Sequence, residues 1–250
     1  MRLSIVILSW NSLPMLRPCL ASLSDVLARP DTELIWVDNG STDGAAQYVA
    51  EHFPSATVIR LPQNRGVAVG RNAGLRQARG EYILILDDDT EAGAEAIDAM
   101  QSWLDGDPGT AIVGTALRDA EGRLQQSYKP YPGLRQKVAN VLRAKLRLKE
   151  KEPQLPSGPI HPEYIIGACQ MMRRSLLDEI GLLDEAIFYG PEDADLCLRA
   201  TAAGHRVTYL PQPSIIHKWR RITTRRLTSG TARRHLQGLL HLYRKHRRWW

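Results

Sequence analysis

Two acidic clusters carry the densest chemistry in this 250-residue chain. Asp87-Asp88-Asp89 directly follows the apolar run Tyr82–Leu86. Three adjacent carboxylates repel one another unless a cation sits among them. Mg2+ or Mn2+ suits oxygen ligands, and Mg2+ needs only one or two carboxylates beside the phosphates of a substrate. The same triplet could instead be a solvated turn that starts a helix near Ala94, since acids favour helix N-termini. Glu192-Asp193 forms the second cluster, in Tyr189-Gly190-Pro191-Glu192-Asp193-Ala194-Asp195. It opens a helix, where such residues act as caps. The chemical alternative is a general base, its pKa raised by neighbouring carboxylates so that it can take a proton from a hydroxyl. His217 follows Ile215-Ile216 and gains interest only through the company of these clusters.

The elements that must position these groups can be read from hydrophobic period. Leu3–Leu8, Leu34–Val37, Thr57–Leu61 and Tyr82–Leu86 are short, continuous apolar runs with strand character. Between them, Leu13, Leu16, Leu20, Leu23 and Leu27 recur at helical spacing, with Pro14 in the first turn. Helices are also predicted over Ala45–His52 and Gly66–Ala78. Strand–helix alternation with uninterrupted apolar strands predicts a mostly parallel sheet covered on both faces, an α/β fold. Ligands bind such sheets beyond the carboxyl ends of the strands. Ser9/Asn11, Asp38-Asn39 and Asp87-Asp88-Asp89 all fall at such ends. Further along, strands are predicted at Ala111–Val113, Tyr164–Met172 (with a small-residue notch at Gly167-Ala168) and Val207–Leu210. Helices are predicted over Arg174–Ile180 and Asp193–Ala203, closed by Gly181 and Gly204. Gly133–Lys151 reads as a basic helix, and residues 152–162 as a Pro/Gly-rich loop.

Composition narrows the class. An apolar share of 43% and a charged share of 24% exclude disorder, collagen and coiled coil for the chain as a whole. The net charge of +6 is uneven. Residues 1–100 hold 8 Lys/Arg and 13 Asp/Glu, residues 101–217 hold 14 of each, and residues 218–250 hold 11 Lys/Arg and no acid. An acidic-to-neutral body with a basic tail points to a polyanion or an anionic membrane surface as a partner. Cys19, Cys169 and Cys197 are sparse and lack a CxxC spacing, which argues against a disulfide framework and for a reducing compartment. No run approaches the ~20 apolar residues of a spanning helix, and the apolar start is too short for a signal peptide. The expectation is a cytoplasmic protein, peripheral on the inner face of a membrane if the tail docks there.

The ordered motifs resemble a known family. Ser4–Asn11, Val37-Asp38-Asn39-Gly40-Ser41-Thr42-Asp43, Asn64-Arg65-Gly66 with Arg71-Asn72-Ala73-Gly74, Gly80-Glu81-Tyr82 with Leu86-Asp87-Asp88-Asp89, and Glu192–Arg199 look like the successive blocks of family 2 glycosyltransferases. The resemblance spans residues 3–219 and leans toward the rhamnosyltransferase-like branch of cell-surface polysaccharide enzymes. It implies the GT-A fold, with a Rossmann-like central sheet, and an inverting transfer from a nucleotide-sugar. By that resemblance Asp38 contacts the base, Ser9 and Asn11 line the same pocket, and Asn64, Arg71 and Asn72 help to hold the donor. Asp87, Asp88 and Asp89 form the DxD region, with Asp89, Asp87 and His217 as ligands of Mn2+ or Mg2+. Asp193 is then the catalytic base, with Glu192 beside it. Processive members carry Q/RxxRW; His217-Lys218-Trp219-Arg220-Arg221 does not match, so a non-processive enzyme is expected.

The implied layout is one domain over 1–220, its nucleotide-sugar half in 1–100 and its acceptor half in 101–220. A basic amphipathic helical tail over 221–250 follows. Donors would be UDP-, dTDP- or GDP-linked, and the acceptor a glycan or lipid-linked glycan. The tail suits an anionic interface, or else a solvated or homodimer-forming helix. Nucleic acid is not expected, because no binding motif accompanies the charge. Outside sugar transfer, a nucleotidyltransferase would carry a Gly-rich basic loop where Ser9-Trp10-Asn11-Ser12 stands. A non-catalytic nucleotide-sugar-binding module would lack one of the two acidic clusters.

Overall fold

The computed structural model describes residues 1–146, 153–218 and 230–249. The last part of the basic stretch predicted to Lys151, the tail from Trp219 through residue 229, and Trp250 lie outside the described residues.

The first half alternates as predicted: β1 (Leu3–Ser9), α1 (Leu13–Ser22), α2 (Ser24–Leu27), β2 (Thr32–Asp38), α3 (Ala45–His52), β3 (Thr57–Arg60), α4 (Val67–Leu75) and β4 (Tyr82–Asp87). Then come β5 (Thr90–Glu91), α5 (Ala94–Gly106), β6 (Thr110–Arg118), β7 (Tyr128–Lys129) and α6 (Leu134–Lys145). The chain continues with β8 (Tyr164–Ile165), β9 (Cys169–Arg173), α7 (Arg174–Ile180), α8 (Glu192–Ala202), β10 (Arg206–His217) and α9 (Gly230–His246). Eight strands form one sheet in the order β3-β2-β1-β4-β9-β6-β10-β5. Pairing is parallel from β3 to β4 and between β6 and β10; β9 runs antiparallel between β4 and β6.

Period-2 alternation divides the core. Leu3, Ile5 and Ile7 of β1 pack with α1, α3 and α5 on one face, while Val6 packs with α4, α7 and α8 on the other. α4 lies close on the sheet because it presents glycines there. A Cβ on Gly74 would sit 2.6 Å from Val6 Cγ1, and one on Gly70 would collide with Leu8. That close seat brings Arg71 and Asn72 down to the strand ends.

Four predicted elements differ in detail. The helix expected over Leu13–Leu27 breaks at Leu23, where Ser22 Oγ donates to Cys19 O (2.7 Å) and accepts from Ala92 N (3.0 Å). The strand expected over Tyr164–Met172 splits at Gly167-Ala168: β8 pairs with β7 in a small separate sheet and β9 joins the main one. β6 is longer than the three residues predicted. β10 runs on through Pro211 and Pro213, with a register shift between Leu210 and Ile215. Prolines demote a strand in sequence reading, yet the irregularity is what carries the strand on to pair His217 with Thr90 of β5. The three cysteines are buried free thiols.

Residues 230–249 pack on the body instead of extending from it. Leu239, Leu242 and Tyr243 of α9 are buried with Tyr131, and Tyr243 Oη donates to Pro132 O at 2.6 Å. Lys245 reaches both Asp184 (2.7 Å) and fully buried Asp195 (2.8 Å), which also meets His246 Nε2 at 2.8 Å; His241 Nε2 lies 2.9 Å from Asp184. His241, Lys245, His246 and Arg248 thus answer acids of the neutral middle, a match that composition by segment conceals.

Candidate active site

β4 ends at Asp87, the next two residues turn, and β5 pairs back against the end of β10. This brings Asp87, Asp89 and His217 together, with one ligand atom from each within 4.8 Å of the others. His217 Nε2 lies 3.4 Å from Asp89 Oδ1. Its Nδ1 donates to Gln125 Oε1 at 2.7 Å, and Gln125 Nε2 donates back to His217 O at 2.7 Å. An acceptor on Nδ1 leaves the Nε2 lone pair facing the carboxylates, the usual way an outer partner fixes a ligating imidazole. Burial would lower the His217 pKa, but Asp89 and Asp87 outweigh it and hold the pKa above the ordinary value. Two carboxylates and an imidazole suit a borderline divalent ion such as Mn2+.

Asp87 also binds the other half of the site. Arg71, 4% exposed, donates from Nη2 to Asp87 Oδ1 (2.5 Å) and to Gly167 O (2.9 Å), and from Nη1 to Glu192 Oε1 (3.2 Å). Gly167 N donates to Asp193 Oδ2 at 3.0 Å. A Cβ at Gly167 would lie 2.6 Å from Arg71 Nη1, so the notch seen in sequence is the space the guanidinium occupies. Burial raises the Asp87 carboxyl, offset in part by Arg71 and raised further by Asp89. Glu192 is pushed up to about 7, by burial first and by Asp193 next, with Arg71 pulling the other way. Its Oε2 is buried with no hydrogen-bond partner among the described residues. Asp193 is half-buried and faces Gly167 N and Ala194 N. Asp87, Asp89, Glu192 and Asp193 thus gather around one guanidinium and one imidazole, an excess of negative charge that a divalent cation relieves.

The remaining predicted residues fall into a second group at the ends of β1 and β2. Asp38 is buried and accepts from Ser41 N (2.7 Å) and Arg60 Nε (3.4 Å). Ser9 Oγ accepts from Trp36 Nε1 at 2.9 Å. Asn11 adopts φ 48°, a conformation asparagine tolerates, and ties two loops by accepting from Thr42 N (2.9 Å) and donating to Ser41 Oγ (3.0 Å). Asn64 Oδ1 accepts from Gly66 N and from Asn39 Nδ2, shaping the turn into α4. Asp88 turns away from the triad toward Ser12 and Ser9; burial and its acidic neighbours push it up to about 7 against those hydroxyls. Asn72 is fully engaged elsewhere, pairing with Leu183 N and O and with Glu185 Oε1.

Sequence reasoning missed Gln125, Asp43 and the anchors Asp184 and Asp195. Asp43 accepts from Leu13 N (2.7 Å) and Ala45 N (3.2 Å), capping two helices at once; its place in the dense polar loop after β2 was the available signal. Gln125 sits in a segment without periodicity, and nothing local marks it.

Known proteins resemble this chain. The profile of glycosyl transferase family 2 matches residues 4–181. N-acetylglucosaminyl-diphospho-decaprenol L-rhamnosyltransferase of Mycobacterium tuberculosis is 28% identical over 273 residues, covering 99% of this chain and 86% of the relative. An uncharacterized glycosyltransferase of Bacillus subtilis, YwdF, is 30% identical, covering 87% of this chain and 74% of its own. Among solved structures, the mannosyltransferase PcManGT of Pyrobaculum calidifontis, in complex with GDP-Man and Mn2+, superposes with a TM-score of 0.65 at 22% identity, covering 98% of this chain and 64% of that one. S. aureus TarS 1-349 with UDP-GlcNAc gives 0.65 at 19% identity, covering 88% and 59%. The fold is the GT-A fold, and the chain belongs to glycosyl transferase family 2.

Proposed function

We propose that this glycosyltransferase is inverting, metal-dependent and non-processive. It moves a hexosyl or deoxyhexosyl group from a UDP-, dTDP- or GDP-sugar to a hydroxyl of a glycan or lipid-linked acceptor in cell-surface polysaccharide synthesis. One observation carries the reading: Asp87, Asp89 and His217 bring ligand atoms within 4.8 Å of one another, and Arg71 links Asp87 (2.5 Å) to Glu192 (3.2 Å), the neighbour of Asp193. A cation site and a basic carboxylate pair therefore form one centre. The mycobacterial rhamnosyltransferase supports a deoxyhexose donor and a diphospho-lipid acceptor.

Asp87, Asp89 and His217 would hold a divalent ion, which would supply neutralisation of the charge developing on the departing nucleoside diphosphate. Asp38 and the loops tied by Asn11 and Asn64 receive the nucleoside at the ends of β1 and β2. Ser9 and Asp88 brace that pocket from beneath. Arg71 orients Asp87 and Glu192, and Asn72 fixes residues 183–185 behind them. Asp193, the more open of the pair, takes the proton from the acceptor hydroxyl as that oxygen attacks. One displacement inverts the sugar, so no covalent carboxylate is needed.

The bare, buried Oε2 of Glu192 favours a second reading in which Glu192 is the base, since a base works best with a pKa near the working pH. Two variants separate the readings. Asp193→Asn is expected to lower turnover by about 10²–10⁴-fold while nucleotide-sugar binding by calorimetry survives, and Glu192→Gln to cost less. The reverse ranking assigns the base to Glu192. Loss of binding and turnover together in Asp193→Asn makes that residue structural.

A further inference from the structure

α6 presents an apolar ridge that nothing in the described chain covers. Leu134, Val138, Leu142 and Leu146 follow at four-residue spacing, and the bond from Leu146 N to Leu142 O (2.9 Å) carries the helical turn to the last of them. They are 36%, 50%, 52% and 69% exposed. Four-residue steps drift only about 40° each around an α-helix, so the four side chains make one ridge. None belongs to a buried cluster among the described residues. Leu134 N donates to Trp249 O at 2.8 Å, while the Trp249 ring packs against Tyr243 with centroids 5.5 Å apart. α6 carries Arg135, Lys137, Arg143 and Lys145 and no acid.

The contrast with α9 identifies the docking element. α9 also carries four Lys/Arg and no acid, but its Leu239, Leu242 and Tyr243 are buried, and Lys245, His241 and His246 face Asp184 and Asp195. Its apolar face already has a partner; the ridge of α6 has none among the described residues. A second copy is a poor occupant, because two acid-free α6 helices would bring like charges together. No helix among the described residues is long and apolar enough to cross a membrane. The geometry points to α6 as an in-plane helix that docks on an anionic phospholipid surface. Its Leu/Val ridge enters the acyl boundary, and its Lys/Arg meet the headgroups. This goes beyond the transfer reaction and does not depend on which acceptor is used.

The test is flotation of the full chain with phosphatidylcholine vesicles, with and without phosphatidylglycerol, in the absence of donor and acceptor. The wild type is expected to float with the anionic vesicles and less so in high salt. The double variant Val138→Asp/Leu142→Asp, at exposed positions, should lower partitioning by about tenfold or more with an unchanged melting curve. Undiminished flotation of the variant, or no flotation of the wild type, overturns the assignment. So does a wild-type dimer that the variant converts to monomer without any vesicle binding. None of these outcomes touches the transfer reading, which is measured on soluble substrates.

Discussion

At the ends of β1, β2 and β4 each functional side chain lies within a few residues of the strand that places it: Ser9, Asn11, Asp38, Asp87 and Asp89. On the other side of the centre, Gln125, Glu192, Asp193 and His217 arrive from three separate segments and are held by long-range contacts. Arg71 bridges β4 to α8, Gly167 leaves room for it, Gln125 orients His217, and α9 pins Asp195. A pocket built on parallel strand ends is fixed by the sheet itself, whereas a base brought in by crossovers is only as well placed as its cross-links. If so, damage to cross-links should cost more than damage to any one loop of the nucleotide side.

The largest effect is expected at Arg71. Arg71→Met leaves Asp87 and Glu192 facing each other unpaired, which should destabilise the fold by about 3–5 kcal/mol in chemical denaturation and abolish turnover. An intermediate loss in Arg71→Lys would support the bridge; a loss no larger than that of Asn11→Ala would erase the contrast between the halves. Gly167→Ala comes next. Its Cβ must displace the guanidinium, at a cost of about 1–3 kcal/mol, and kcat measured well below the melting temperature should fall further than that stability loss explains. Gln125→Ala touches no substrate, yet should weaken Mn2+ binding by about 10–100-fold in a metal titration while the melting temperature of the metal-free protein barely moves.

The smallest effect belongs to α9. Lys245→Ala should cost about 1 kcal/mol or less at neutral pH. Burial would raise Asp184 and Asp195, but Lys245, His241 and His246 overcome it and hold both carboxyls below their usual range. Folded values below the unfolded one, about 3.9, mean that this contribution is whole above that pH and fades as pH falls through the lowered values. The variant and the wild type should therefore differ at pH 7 and converge in strong acid, as followed by urea melts across pH.

The same division explains what could be read in advance. Continuous apolar runs ending in polar clusters announce parallel strands, so β1 to β4 and the placing of Asp38, Asp87 and Asp89 at their carboxyl ends were legible. The notch at Gly167-Ala168 was visible as small residues, but its cause, a guanidinium 96 positions away in sequence, was not. β10 was underestimated because Pro211 and Pro213 interrupt the pattern that the sheet edge tolerates. α9 looked like an appendage because its acids, Asp184 and Asp195, lie in another segment. Periodicity reports what a helix must bury, not which distant surface receives it.

Central to the proposed function is a divalent cation held by the cluster of Asp87, Asp89 and His217. Calorimetric titration with UDP, dTDP and GDP, each with and without Mn2+, on the wild type and on Asp89→Ala, tests it most directly. At least one nucleotide should bind the wild type more tightly with Mn2+, and that gain should vanish in Asp89→Ala. Equal affinity with and without Mn2+ in the wild type, or a gain that persists in Asp89→Ala, would contradict it.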